Sequence, residues 1–82
     1  MPLRKQWRDL DRSTVRDAPN RYGVAEFGDA DGQAIAVDSG MLRDVLKSAL
    51  SYRDTPKVRW EATQTKEQAA ELADEHRERL AE

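Results

Sequence analysis

The chain contains no cysteine, a single histidine, few aromatic residues and no long hydrophobic run. Without cysteine it forms no disulfide, and with one histidine it cannot build the usual cysteine and histidine zinc cluster. No apolar stretch approaches the roughly 20 residues that span a bilayer, and the N-terminus lacks the apolar region of a secretion signal. These absences predict a soluble cytoplasmic protein with no membrane contact, no metal site and no cofactor.

A chain of 82 residues forms one small domain, which we place over residues 1–82. A chain this short buries only about 60–65% of its unfolded surface, so association with a second copy is a common source of extra stability. The charges favour the same outcome. Residues 1–22 hold six basic against three acidic side chains, and residues 61–82 hold three basic against seven acidic ones. Opposite charge at the two ends favours attraction within a chain or between two copies, and the second, together with the small core, predicts a homo-oligomer.

Hydrophobic periodicity predicts an α+β core over residues 22–80, preceded by a basic segment over residues 1–21. The predicted strands cover residues 22–27, 33–37 and 57–61, and the predicted helices cover residues 41–52 and 65–80. The first two strands form a hairpin, because Asp31-Gly32 supplies the positive-φ geometry of a tight turn. We expect a three-stranded, largely antiparallel sheet covered by both helices. The N-terminal segment is predicted to be helical or irregular, with Trp7 docked on the domain.

Cap residues mark the start of both helices. Asp38 or Ser39 is placed to cap the first helix, and Thr65 with Gln68 has the spacing of a capping box at the second. The apolar positions then predict the core. The residues expected to supply much of it are Phe27, Ile35, Val37, Leu42, Val45, Leu46, Leu50, Val58, Trp60 and Leu72.

The acidic and histidine residues do not form a recognisable catalytic or metal site. Asp29, Asp31 and Asp38 have part of the spacing of a calcium loop, but its first position would be Phe27, which cannot ligate calcium. His76 has no identifiable nucleophile to activate, so we interpret it as a packing residue. The acids of the last helix spread around its outer surface, which is typical of a solvated face. We therefore predict no catalytic residue and no metal ligand from these patterns.

Basic residues of the N-terminal segment predict a second kind of function, nucleic-acid binding. Arginine recurs every four residues, at Arg4, Arg8, Arg12 and Arg16. In a helix these side chains form a stripe that can neutralise phosphates, while the neighbouring Trp7 can stack on a base. Arg43 and Lys47 of the first predicted helix can join them. The other interpretation, which stays open, is that the arginines form structural salt bridges and Trp7 fills the core.

The order hairpin, helix, strand, helix resembles the GIY-YIG endonuclease fold over residues 20–80. Gly23-Val24-Ala25 lies where the first signature triplet of that family belongs, and Ala36-Val37-Asp38 lies where the second belongs. The strand Val58–Glu61, together with the hairpin, is also similar to a small group of haloarchaeal proteins.

The resemblance implies functional side chains that this sequence does not carry. The two tyrosines of the family correspond to Ala25 and Ala36, and the second glycine corresponds to Asp38. Its arginine corresponds to Val45, and its metal-binding glutamate falls near Ala73 or Asp74, depending on the alignment. One carboxylate without tyrosine or arginine cannot organise phosphodiester hydrolysis. We therefore predict a non-catalytic, self-associating interaction module on a degenerate scaffold. Weak nucleic-acid binding is the alternative, and residual metal-dependent nuclease activity is the third interpretation.

Overall fold

The structure, a computed structural model, describes residues 6–52 and 55–81. Arg4, one of the predicted nucleic-acid-binding residues, lies outside this part of the chain. The elements in chain order are β1 (Arg8–Asp9), α1 (Arg12–Asp17), β2 (Tyr22–Gly28), β3 (Ala34–Met41), α2 (Leu42–Tyr52), β4 (Lys57–Ala62) and α3 (Lys66–Ala81). The α+β class is confirmed.

The strands form one antiparallel sheet in the order β1-β4-β2-β3. The prediction of three strands was wrong, because the N-terminal segment contributes a fourth. This strand, β1, pairs Arg8 with Val58 and Asp9 with Lys57 at the outer edge of β4. A two-residue strand is too short to leave an alternating hydrophobic pattern, so sequence periodicity does not reveal it.

The β2–β3 hairpin is confirmed, and the side chain of Asp29 builds its turn. The Oδ1 atom of Asp29 accepts hydrogen bonds from the backbone N–H of Asp31 at 2.9 Å and of Gln33 at 3.0 Å. Gly32 has a φ of 82°, the positive value expected of glycine in such a turn. The Asp29 carboxylate therefore serves the local backbone, as the predicted polar turn requires.

Strand β3 is longer than predicted and continues directly into α2. Asp38 and Ser39, expected to cap the helix, instead lie in the strand opposite Ala25 and Val24. The first N–H of α2, that of Leu42, donates to the carbonyl oxygen of Arg21 at 2.8 Å. A neighbouring backbone group thus takes the place of a side-chain cap.

Helix α3 begins at the predicted capping residues. Thr65 Oγ1 accepts a hydrogen bond from the backbone N–H of Gln68 at 3.1 Å. The Gln68 side chain returns to accept from the backbone N–H of Gln64 at 3.0 Å, one residue earlier than in the standard box. The predicted helix start is confirmed to within one residue.

The central strand β2 divides the core, because neighbouring side chains of a strand point to opposite faces. Phe27 packs in an apolar cluster with residues of α2, whereas Val24 packs in a separate cluster with Val37 and with Ala73 of α3. The first cluster consists of Ala18, Ala25, Phe27, Leu42, Leu46, Ala49 and Val58, with Leu10 and Val15 packed against it. Helices α1 and α2 therefore cover one face of the sheet, and α3 covers the other.

Most of the predicted core residues are buried or half-buried, but two are not. Ile35 is 52% exposed and Leu50 is 37% exposed, so both predictions were wrong. The pairing register shifts so that Phe27 opposes Ala36 and Gly28 opposes Ala34, which leaves Ile35 without a partner in β2 at the edge of the sheet. Leu50 lies on the side of α2 that faces α1, where the two helices leave a groove.

Within the described residues, the structure contains no helix with the length and apolar composition needed to cross a bilayer.

Candidate binding surfaces

A groove lies between α1 and α2 on one side of the molecule, and we call it the α1–α2 groove. Arg12 and Arg16 stand one turn apart on α1, and Lys47 and Leu50 stand one turn apart on α2, so each pair points along the same side of its helix. The residues that line the groove are Leu10, Asp11, Arg12, Val15, Arg16, Lys47, Leu50 and Ser51. It therefore combines an apolar floor with a cationic rim.

In the described part of the chain, the rim cations are not held in ion pairs. Arg12, Arg16 and Lys47 form no ion pair within residues 6–52 and 55–81. Arg43, one turn before Lys47, differs, because its Nη2 atom donates to the carbonyl oxygen of Ala18 at the end of α1. Three of the predicted nucleic-acid-binding residues thus line the groove. A fourth, Arg43, links α2 to the end of α1.

Asp11 is the acid that lines the groove, and its carboxylate caps α1. Its Oδ1 atom accepts a hydrogen bond from the backbone N–H of Thr14 at 2.9 Å. This hydrogen bond lowers the pKa of the Asp11 carboxyl below its ordinary value, since it stabilises the ionised form. Asp11 therefore stays ionised around neutral pH, while one of its oxygens is engaged by the helix it caps.

The outer surface of α3 carries an acidic stripe. Glu67, Glu71, Asp74 and Glu78 follow one another at positions i, i+4, i+7 and i+11, so they lie on one side of the helix, and all four are exposed. The opposite side of α3 is buried against the sheet. We call these four residues the α3 acidic stripe. The prediction that the acids of this helix form a solvated face is confirmed.

The groove and the acidic stripe lie on opposite sides of the sheet, since α1 and α2 cover one face and α3 covers the other. Even the shortest dimension of the molecule is 22 Å. The Debye length at physiological ionic strength is only about 8 Å. The two charged surfaces therefore do not neutralise each other within one chain.

Trp7 docks on the domain, as predicted, and its ring is occupied there. The Arg59 guanidinium lies 4.1 Å from the centroid of the ring, and the indole Nε1 donates to the carbonyl oxygen of Gly32 at 2.9 Å. A Cβ atom at Gly28 would lie 2.8 Å from the ring, so glycine is what allows the indole to approach the strand. In this position Trp7 serves intramolecular packing, and base stacking would require it to leave Arg59.

Arg8 is also engaged within the chain. Its guanidinium donates to the carboxylate of Asp17 at 3.0 Å and lies 5.0 Å from the ring centroid of Trp60. The expected single helical stripe of arginines was wrong, because Arg8 lies in β1 and Arg12 opens α1. Asp11 explains the break, since it caps the helix between them.

A buried ionic cluster that the sequence patterns did not reveal lies between the sheet and α3. Glu26 is fully covered, and its Oε1 accepts from the Nε of Arg59 at 2.9 Å. Its other oxygen lies 3.4 Å from the Nδ1 of His76, a buried side chain on α3. His76 is therefore a packing residue in contact with a buried acid. The sequence feature that could have revealed this cluster is Glu26, the one acid in the otherwise apolar strand Tyr22–Gly28.

The positions that correspond to nuclease residues do not meet in one open cleft. Ala25 is completely buried in the apolar cluster between the sheet and α2. Ala36 of β3 and Val45 of α2 pack against that cluster. Asp74 lies on α3, across the sheet from them. It pairs with Arg77 at 3.4 Å, and Arg77 also lies 3.9 Å from Asp38 at the sheet edge. Within the described residues, no three potential ligands are grouped to hold a metal ion.

Fold and surfaces together define a small α+β domain with helices on both faces of an antiparallel sheet and unlike charge on its two sides. Residues 1–79 match the model of the family described as Domain of unknown function (DUF7508), and the chain belongs to that family. Comparison with curated proteins and with solved structures gives no match. The resemblance to GIY-YIG nucleases and to haloarchaeal proteins stays a prediction.

Proposed function

We propose that this domain is a non-catalytic interaction module that self-associates through its two oppositely charged sides. The observation that carries this proposal is the separation of charge across the sheet. The α1–α2 groove keeps three cations without a described anionic partner, and the α3 acidic stripe faces away from them. Each surface is the natural electrostatic complement of the other in a second copy.

The non-catalytic part of the proposal is supported by what fills the positions compared with the nuclease family. Ala25 is fully buried in a cluster of apolar side chains, and Val45 packs against that cluster. Methyl groups at these positions neither position a water molecule nor stabilise a developing negative charge. Asp74 is left on the other side of the sheet with Arg77 as its partner.

The expected affinity is modest, because exposed ion pairs are weak. Each contributes about 0.2–1 kcal/mol, so three such pairs supply about 1–3 kcal/mol. Burial of the apolar floor of the groove adds to this. Association should therefore depend strongly on salt and be visible at high protein concentration.

Multi-angle light scattering tests self-association directly. At low ionic strength, about 0.01 M, where the Debye length is about 30 Å, we expect the average mass to rise above the 9.4 kDa of one chain as concentration increases. At about 1 M salt, where that length is about 3 Å, the mass should return to that of a monomer. Asp31→Lys, in the hairpin turn away from both surfaces, is the matched charge control and should behave like the native chain. A strict monomer at low salt and high concentration would disprove the proposal.

Nucleic-acid binding through the same groove is the second candidate. The specific observation in its favour is that Arg12, Arg16 and Lys47, which come from two distant parts of the sequence, line one surface. Unlike Trp7 and Arg8, they are not engaged in intramolecular pairs described here.

Fluorescence anisotropy with a labelled single-stranded oligonucleotide tests this candidate. If three to four phosphates are neutralised, a fourfold rise in salt should weaken binding roughly 20- to 50-fold. Lys47→Gln should lower the slope of log affinity against log salt by about 0.7. Lys66→Gln removes an exposed cation from the first turn of α3 and should leave the slope unchanged. Absence of binding at low salt would exclude this function.

A further inference from the structure

We infer that α3 of a second copy occupies the α1–α2 groove, and that this contact builds head-to-tail assemblies larger than a dimer. The inference rests on the proposed self-association and goes further, since it names the two elements in contact and the symmetry that follows.

The charges of the groove and of α3 have the same spacing. Arg12 and Arg16 are separated by one helical turn, and so are Glu67 and Glu71 of the acidic stripe. One turn rises about 5.4 Å, so consecutive cations on α1 can meet consecutive carboxylates on a second helix laid alongside it. Lys47 extends the cationic rim on the α2 side. An acidic helix is thus the partner whose charge repeat matches the groove.

The apolar floor favours a helix over a phosphate backbone as the occupant. Leu10, Val15 and Leu50 line the groove beneath its cations, and Leu50 remains 37% exposed in the single chain. Next to the acidic stripe, α3 presents an exposed Ala70. A small side chain there lets a helix approach the groove closely, whereas a sugar–phosphate chain would leave the leucines uncovered by apolar atoms.

The placement of the two surfaces determines the form of the assembly. A two-fold dimer brings the same patch of both chains together, but this contact joins two different patches. Because the groove and α3 lie on opposite sides of the sheet, one neighbour cannot satisfy both of them. Each copy therefore keeps one unsatisfied surface and recruits a further copy, giving a ring or an open row.

Two complementary variants of the full chain test the contact. The groove variant carries Arg12→Gln, Arg16→Gln and Lys47→Gln, and the helix variant carries Glu67→Gln, Glu71→Gln and Glu78→Gln, so each keeps one charged surface and loses the other. Circular dichroism checks that each is folded. Alanine at the same positions replaces either variant that is not, and the same masses are expected, because alanine also leaves the altered surface without charge. Light scattering is then recorded at low salt for the native chain, for each variant alone and for their equimolar mixture.

The native chain should exceed the mass of a dimer as concentration rises, and each variant alone should remain a monomer. In the mixture, the intact helix of the groove variant pairs with the intact groove of the helix variant, so the mass should stop at that of a one-to-one dimer.

If the native chain is monomeric, the proposed function itself fails. If it associates but stops at a dimer, the proposed function survives and this inference is overturned. If the groove variant associates as strongly as the native chain, self-association itself survives, but it uses other surfaces, and this inference is overturned. If the groove variant loses the binding of a single-stranded oligonucleotide but still associates as strongly as the native chain, the groove serves nucleic acid instead.

Discussion

Replacing Glu26 with glutamine is expected to lower the free energy of unfolding by about 3 kcal/mol. The side chain is 2% exposed, and its carboxylate accepts a hydrogen bond from the guanidinium of Arg59 and lies 3.4 Å from the Nδ1 atom of His76. A neutral amide of the same shape removes the anion and leaves the guanidinium of Arg59, itself 15% exposed, without its buried counter-charge. For an 82-residue domain, whose total stability is about 4–12 kcal/mol, this is a large fraction.

Urea denaturation followed by circular dichroism measures this loss. The matched control is Glu71→Gln, the same chemical change at an exposed position of α3, which should alter the free energy by at most about 0.5 kcal/mol. A double-mutant cycle with Arg59→Gln should show that the two losses are not additive, because the residues share one ion pair. Equal denaturation midpoints for native protein and Glu26→Gln would refute the importance of the cluster.

Replacing Gly23 with alanine is expected to cost about 3 kcal/mol, the upper end of the usual range for overpacking. A Cβ atom there would lie 2.5 Å from the carbonyl oxygen of Glu61 and 2.7 Å from Cδ1 of Leu42. The carbonyl belongs to β4, which pairs with β2 along its whole length, so it cannot retreat without disturbing the sheet. Leu42 is fully buried and cannot turn towards solvent.

Thermal and urea unfolding of Gly23→Ala should be compared with Gly28→Ala, the same change in the same strand. At Gly28 the added methyl group meets the ring of Trp7, a side chain at the edge of the domain. The ring can shift, so this variant should lose less stability while its tryptophan fluorescence changes. A Gly23→Ala protein as stable as Gly28→Ala would show that the sheet tolerates the extra atom, contrary to the packing described here.

Local patterns predicted the elements that local interactions build. The hairpin followed from Asp31-Gly32, and the start of α3 followed from Thr65 and Gln68, whose partners lie within four residues. The sequence pattern does not separate strand β1 from helix α1, because a two-residue strand has no period. In a segment without clean periodicity, Asp11 also looks like one more charge and not like a helix cap.

The binding surfaces were predictable in part. Arg12, Arg16 and Lys47 stood out as cations, but only the packing of α1 against α2 shows that they share a groove and that Leu50 belongs to it. The pairing of Glu26 with Arg59 joins residues 33 positions apart through the register of two strands. Such a register is set by the whole sheet and not by nearby residues, so no motif marks it.

The position of Arg77 has a consequence for the outer edge of the sheet. Strand β3 is an outer strand, and an outer strand normally offers free backbone groups to other chains. Here the Nη2 atom of Arg77 donates a hydrogen bond to the carbonyl oxygen of Val37 at 3.3 Å, and the pairing register of the same strand shifts near Ile35. A further strand that paired with β3 through this carbonyl oxygen would first have to displace the guanidinium of Arg77.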